Sequence, residues 1–325
     1  MIQPIWKDCY VTLGAMESAT FRVEYDDRTK TRREIFQGKA FRRPGESMLM
    51  VRINDICANY LNVVIDFSTG EDFVLNDPVS FIVSVFESDT WVIRDAVTFY
   101  ANYSYDYQFN PLYKGLSCPI NGRVTQDTLI PYSVPYTQTI KVTMDGVSTD
   151  IEPSGSGHGG YYIINPVNAE PGGQILVRDW DFEKETRYDV VISCARYALY
   201  YVNAYGGVDL FLIEGNHTEK DELQRHTREV SYDNREISNA GKINFASEIT
   251  KSLTLHTSWL TDEQSARMHH LLNANQVLLY DIKENQYIPV LLTNTTTEYK
   301  TYKGNGGKLT NYKIEVTFAN DMIRR

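Results

Sequence analysis

Cysteine is scarce in this chain, with four residues in 325. Cys9, Cys57, Cys118 and Cys194 share no short spacing, and no Cys-x-x-Cys pair occurs. That argues against a zinc ribbon or a thioredoxin-type redox pair. In a reducing compartment all four read as small buried hydrophobes. Positive charge is also in deficit: 32 Lys and Arg stand against 42 Asp and Glu, a formal charge of −10. Non-specific nucleic-acid binding needs basic patches that displace counterions, so it is not expected. No apolar run approaches the roughly 20 residues of a membrane span. The start, Met1 to Asp8, lacks the basic-then-apolar layout of a secretion leader. The expectation is a soluble protein made in a cytosol, and the Asn-x-Ser/Thr triplets at Asn102, Asn216 and Asn294 then read as coincidence.

The motifs of catalysis are scarce too. Gly155-Ser-Gly-His-Gly-Gly160 matches Gly-x-Gly-x-x-Gly, but a dinucleotide fingerprint follows a strand and opens a helix. Here Pro153 precedes it and the strand-like Tyr161-Tyr162-Ile163-Ile164 follows, so a loop tip is the better reading. Asp179, Asp181 and Glu183 alternate with Trp180 and Phe182. In a strand, carboxylates two apart lie roughly 6.5–7 Å from each other, within the range of glycosidase pairs. The ordinary reading is a solvated strand face with Trp180 and Phe182 turned inward, and an oxygen-rich cation site is the sharper one. The six histidines, at 158, 217, 226, 256, 269 and 270, show no ligand spacing. His269 and His270 are neighbours on a helix and point about 100° apart. No Gly-x-Ser-x-Gly elbow occurs. No catalytic, cofactor-binding or metal residue is therefore assigned, and no cofactor; the chain is not expected to be an enzyme.

What the sequence does have is strands, marked by 23 tyrosines against four tryptophans. Phe21, Val23 and Tyr25 alternate in the first clear strand, and Glu34 to Phe41 gives the next. Arg43-Pro44-Gly45-Glu46 is a turn signal. Ile56, Cys57, Tyr60 and Leu61 fall at helical spacing, which predicts a short helix packed on a sheet. Further strands are expected at Val79–Phe86 and Trp91–Phe109. In the second, Phe99, Ala101, Tyr103, Tyr105, Tyr107 and Phe109 share one face. A sheet core or subunit contact explains such a face; a stacking platform for sugars or a peptide is the alternative.

Residues 110–136, with Pro111, Pro119, Pro131 and Pro135, read as an irregular connector. Four strands between 137 and 194 follow, with Asp145-Gly146 as a hairpin turn. Tyr197 to Val202 is apolar on both faces and so predicts a strand covered on both sides. His217 to Asn244 is polar and reads as an exposed ribbon or inter-subunit arm. Thr261-Asp-Glu-Gln264 is a capping box, and Met268, Leu271 and Leu272 give the helix its packed face. Strands to Phe318 close the chain, with Gly304 to Gly307 as the last turn. The fold class is thus mainly β, in multi-domain β-sandwich or barrel modules, with an α+β C-terminal domain carrying one capped helix. The domains are 1–110 (N-terminal β), 111–194 (middle β, too small to lean on itself alone) and 195–325 (C-terminal α+β).

Leu255-His-Thr-Ser-Trp-Leu-Thr-Asp-Glu-Gln-Ser-Ala-Arg-Met268, Ile288-Pro-Val290 followed by Thr297 to Tyr302, Ile35 to Phe41, and Ile53 to Leu61 together resemble structural proteins of tailed phages and prophages of gut Bacteroidales. The resemblance touches both ends of the chain and rests on packing motifs. It implies a distal tail or baseplate protein of the virion, made in the host bacterial cytoplasm. Such a protein forms a homo-oligomeric ring and joins tail tube, hub and receptor-binding proteins; it implies no nucleic-acid and no membrane partner. The alternative is a receptor- or glycan-binding tail adhesin, with the Tyr103–Tyr107 face and Trp180 as its candidate platform.

Overall fold

The computed structural model describes residues 2–5, 8–26, 32–61, 79–100, 116–134, 139–152, 160–179, 185–230, 241–293, 299–304, 307–319 and 322–324. The chain is mainly β, built from several sheets, with an α+β C-terminal region carrying one capped helix.

The first module holds β1 (Ile2–Pro4), β2 (Tyr10–Gly14), β3 (Ser18–Asp26), β4 (Arg32–Phe41), β5 (Leu49–Arg52), α1 (Asn54–Ala58), β6 (Val79–Glu87) and β7 (Thr90–Tyr100). Five strands form a sheet in the order β1-β7-β6-β3-β4, and β2 pairs with β5 alongside. Period-two alternation puts Phe21 and Val23 of β3 and Phe81, Val83 and Val85 of β6 on one face, where all are buried. Ile53, Cys57 and Leu61 come from around α1 into the same core. Asn54 is buried and spans the layer: it accepts from Cys9 N at 2.8 Å and donates to Ile5 O at 2.5 Å. At the Arg43-Pro44-Gly45-Glu46 turn, Glu46 N donates to Arg43 O and Gly45 takes φ +91°.

Next come β8 (Arg123–Val124), β9 (Ile130–Val134), β10 (Ile140–Met144), β11 (Val147–Ile151), β12 (Gly160–Ile164), β13 (Gln174–Asp179) and β14 (Glu185–Val190). They form the sheet β11-β10-β13-β14-β8 and the pair β12-β9. Asp145 and Gly146 both take positive φ, 49° and 80°, between β10 and β11. That is the backbone a two-residue hairpin turn requires, and Asp-Gly supplies it. Residues 110–136 are not irregular throughout: Ile130 to Val134 form a strand buried at every position. Pro131 lies within it, opposite Ile163, in a two-stranded pair where a missing N–H is tolerated at an edge.

The last region contains β15 (Tyr197–Val202), β16 (Val208–Ile213), β17 (His217–Val230), β18 (Gly241–His256), α2 (Asp262–Leu272), β19 (Val277–Asp281), β20 (Gln286–Leu292), β21 (Tyr299–Gly304), β22 (Gly307–Phe318) and β23 (Met322–Arg324). Its sheet runs β16-β15-β19-β20-β22-β18-β17, with β21 on β22 and β23 on β18. β15, β16 and β19 are covered on both faces. Ala198, Tyr200, Leu210, Leu212, Leu278 and Tyr280 pack into a core with the β8–β14 strands. Leu199, Tyr201, Phe211, Val277 and Leu279 point the other way, into a core with Met268 and Leu271 of α2. Each fully buried Leu or Phe among these contributes about 1.5–3 kcal/mol by leaving water. The capping box of α2 is complete: Thr261 Oγ1 accepts from Gln264 N, and Thr261 N donates to Gln264 Oε1.

Candidate interaction surface

β17 and β18 form the longest hairpin described, paired from His217↔Leu255 to Val230↔Gly241. Their sequences explain the form. β18 alternates Ile249, Leu253 and Leu255 with polar residues, so its inner end has a core face. β17 is mostly charged and polar instead, and is exposed from His217 to Arg225. Among the described residues β22 pairs with β18 from Ser252 to His256, and β23 from Ser247 to Ile249. Among the described residues the outer part, Gly241 to Ala246 with His226 to Val230, is a two-stranded ribbon. β17 has, among the described residues, a strand neighbour on one side only. An isolated two-stranded ribbon is marginal in water, and an open strand edge is a template for pairing.

The base of the ribbon is fastened by a charged cluster. Arg196 binds Asp281 Oδ2 through Nε at 3.3 Å and Nη2 at 3.2 Å, and its Nη1 reaches Glu219 Oε1 at 3.1 Å. Tyr197 OH donates to the same Glu219 oxygen at 2.9 Å. His217 sits edge-on to the Tyr197 ring at 5.0 Å, and the Arg196 guanidinium lies over that ring. Burial, then the Glu219 carboxylate, pushes the Tyr197 phenol far above its usual range. Gly215 backs directly onto the His256 carbonyl, a space that no Cβ can enter. Further out, the register slips between His226 and Thr227, whose partners are Ala246 and Asn244, leaving Phe245 as the bulged residue. Phe245 is 59% exposed and Leu223 45%.

A second cluster lies beneath β15 and β16. Asp209, buried, accepts from Cys118 N at 3.0 Å and from Asn203 Nδ2 at 2.7 Å. Asn203 Nδ2 also donates to Leu116 O, while its Oδ1 accepts from Tyr205 N and Gly207 N. The phenols of Tyr188 and Tyr201 are buried nearby. Burial, then the Asp209 charge, pushes both well above the ordinary range. They remain neutral at physiological pH. The cluster ties the 116–118 segment to the β15–β16 turn.

Two sequence readings are overturned. Asp179 does not sit on a solvated face: it is buried, and accepts from Tyr132 OH at 2.8 Å. Its strand turns that side chain toward the core shared by Ile175 and Val177. Trp180, Asp181, Phe182 and Glu183 lie outside the described residues. The cysteines are not uniformly buried: Cys57 is, Cys9 and Cys118 are partly so, and Cys194 is exposed. Cys194 lies in the 191–196 segment between β14 and β15, which is neither helix nor strand.

The glycine-rich motif up to Gly159 lies outside the described residues, and Gly160 opens strand β12 rather than a helix. Of the aromatic stripe, Phe99 is fully buried in the N-terminal core, and positions 101–109 lie outside the described residues. The histidines are dispersed: His226 packs beside Phe245, and His270 Nδ1 accepts from Ala204 N at 3.3 Å. Among the described residues no group of three His, Cys, Asp or Glu side chains is placed to hold a metal ion. The Arg196–Glu219–Asp281 cluster was missed in the sequence because its members are up to 85 residues apart. Asn203 had a local signal, since Asn followed by Gly206-Gly207 marks an Asx-type turn.

No protein-family model matches this chain, and no curated protein matches it either. Among solved structures, a crystal structure of Down Syndrome Cell Adhesion Molecule isoform 1.30.30, N-terminal eight Ig domains, aligns with 98% of this chain and 36% of its own length. The identity is 9% and the TM-score 0.25, a likeness that carries no argument. The chain spans about a third of the length of that structure.

Proposed function

We propose that this protein is a structural subunit that assembles with copies of itself, as a distal tail or baseplate component of a phage tail tip. The observation that carries the self-assembly is the β17–β18 ribbon: long, with Leu223 and Phe245 exposed, and, among the described residues, without a strand on the far side of β17. Such an edge is stabilised when another chain covers it. The tail-tip assignment rests on the sequence resemblance at Leu255 to Met268 and at the N-terminal stretches. In this role the chain does no chemistry. Heterologous contacts close a ring, and exposed surfaces meet tail tube, hub or receptor-binding proteins. The alternative, a receptor- or glycan-binding tail adhesin, would use Tyr103 to Tyr107 and Trp180, which lie outside the described residues.

Immunogold labelling of phage particles induced from a lysogen carrying this sequence tests the assignment. Gold at the tail tip is the expected result. Particles without gold, or gold confined to the capsid, would overturn it.

A further inference from the structure

We infer that the open edge of β17 pairs antiparallel with β17 of a second copy, about a two-fold axis at Leu223. This rests on the self-assembly reading and names the partner of the same ribbon. β17 runs 14 residues without Pro or Gly, so it is a long edge, about 45 Å at the usual rise. Five of the seven residues from Glu219 to Arg225 are charged, which guards the edge against indiscriminate pairing, while the stretch has no Pro and its ladder to β18 has no bulge.

The charges select the partner. Acidic Glu219, Asp221 and Glu222 come first, and basic Arg225 and Arg228 follow. In a two-fold antiparallel contact, residues equidistant from the axis lie opposite each other on the same face. With the axis at Leu223, Asp221 faces Arg225 of the partner subunit, and the symmetry repeats the pair. Glu222 then faces a Gln, Lys220 faces His226 of the partner subunit, counted neutral, and Glu219 faces a Thr. Neighbouring axes fail. An axis at Lys220, Asp221, Glu222 or Arg225 sets that charge against its own copy, and one at Gln224 sets Lys220 against Arg228 of the partner subunit. Leu223 is thus the only centre from 220 to 225 that gains opposite-charge pairs without a like-charge pair. It also sets Leu223, 45% exposed, against its own copy. Leu223 lies opposite Ile249 on the face that continues to Leu253 and Leu255, so pairing extends the core face of the sheet across the axis. The contact is isologous and leaves other faces for the heterologous contacts of a ring.

Sedimentation velocity over a wide concentration range tests this. Asp221 and Arg225 are exposed, so substitutions there leave the fold intact, which thermal melts check. Wild-type protein is expected to self-associate, and more weakly in high salt. Asp221→Arg alone and Arg225→Asp alone should each raise the dissociation constant at least about tenfold. Mixing the two variants should restore association, because one chain brings two basic residues and the other two acidic ones. Single variants that associate like wild type, or a mixture that fails to, would overturn the contact. If the wild type assembles while the charge variants change nothing, this contact fails and self-assembly survives. If the wild type is monomeric throughout, both fail. Absent gold on particles would remove the tail assignment and leave the contact intact.

Discussion

Tyr197 and Glu219 are 22 residues apart, yet the phenol donates a 2.9 Å hydrogen bond to the carboxylate at the root of the ribbon. Arg196 holds the same oxygen and joins it to Asp281 on the neighbouring strand. A polar edge strand is thereby clamped to a core that its own residues do not enter. Tyr197→Phe removes one of the two donors. It should lower unfolding free energy by about 1 kcal/mol in urea titrations. Amide exchange should quicken first in β17 near His217, with little change in α2.

Tyrosine burial gives the protein a defined alkaline limit. Tyr132, Tyr188, Tyr200 and Tyr201 are pushed well above the ordinary value of 10.0 by burial, and Tyr287 to about 12, also mainly by burial. A raised folded-state value means that the folded chain keeps protons which the unfolded chain releases above about pH 10. The stabilisation is fully present below that pH and is lost as pH rises toward the folded values. Stability should be flat in this respect near neutrality and fall steeply above about pH 10. Tyrosinate absorbance should appear in two steps: exposed phenols first, then the buried set together with loss of circular dichroism.

Asn203 meets four polar groups at once: Asp209, Leu116 O, Tyr205 N and Gly207 N. Asn203→Ala leaves these without that partner in a buried site. The expected loss is about 2–4 kcal/mol, since each buried polar group left unsatisfied costs about 1–3. Chemical denaturation checks it. A loss under about 0.5 kcal/mol would show that another group takes over the bonds.

Two glycines should respond in opposite ways. Gly215→Ala drives a Cβ into the His256 carbonyl at the ribbon base and should destabilise by about 1–3 kcal/mol. Gly146 has φ +80° with open space around it, and Asn tolerates that conformation, so Gly146→Asn should stay within about 1 kcal/mol of wild type. Thermal melts of the two variants make the comparison.

Local chemistry was legible in the sequence where it is self-contained. The Thr261 capping box, the Asp145-Gly146 turn, the doubly covered strand at Tyr197 to Val202 and the polar ribbon from His217 each rest on a few adjacent residues, and the structure has all of them. Period two in Phe21, Val23 and Tyr25 likewise fixed a buried face. What depended on distant partners was not legible. The buried strand at Ile130 to Val134 was hidden by Pro131, since its burial comes from β12 and β16 rather than from its own pattern. The sequence around Asp179 suggests a solvated carboxylate, as most are; Tyr132, 47 residues earlier, supplies the bond that lets it lie buried. The insertion of β18 between β22 and β17 in the sheet is a matter of register across the chain, and composition holds no trace of it.

The most direct test of the central claim is the solution mass of the purified chain by light scattering, followed across concentration. Self-assembly predicts a mass that rises from one 37.3 kDa chain toward a fixed multiple of it. A mass of one chain at every concentration would contradict the account.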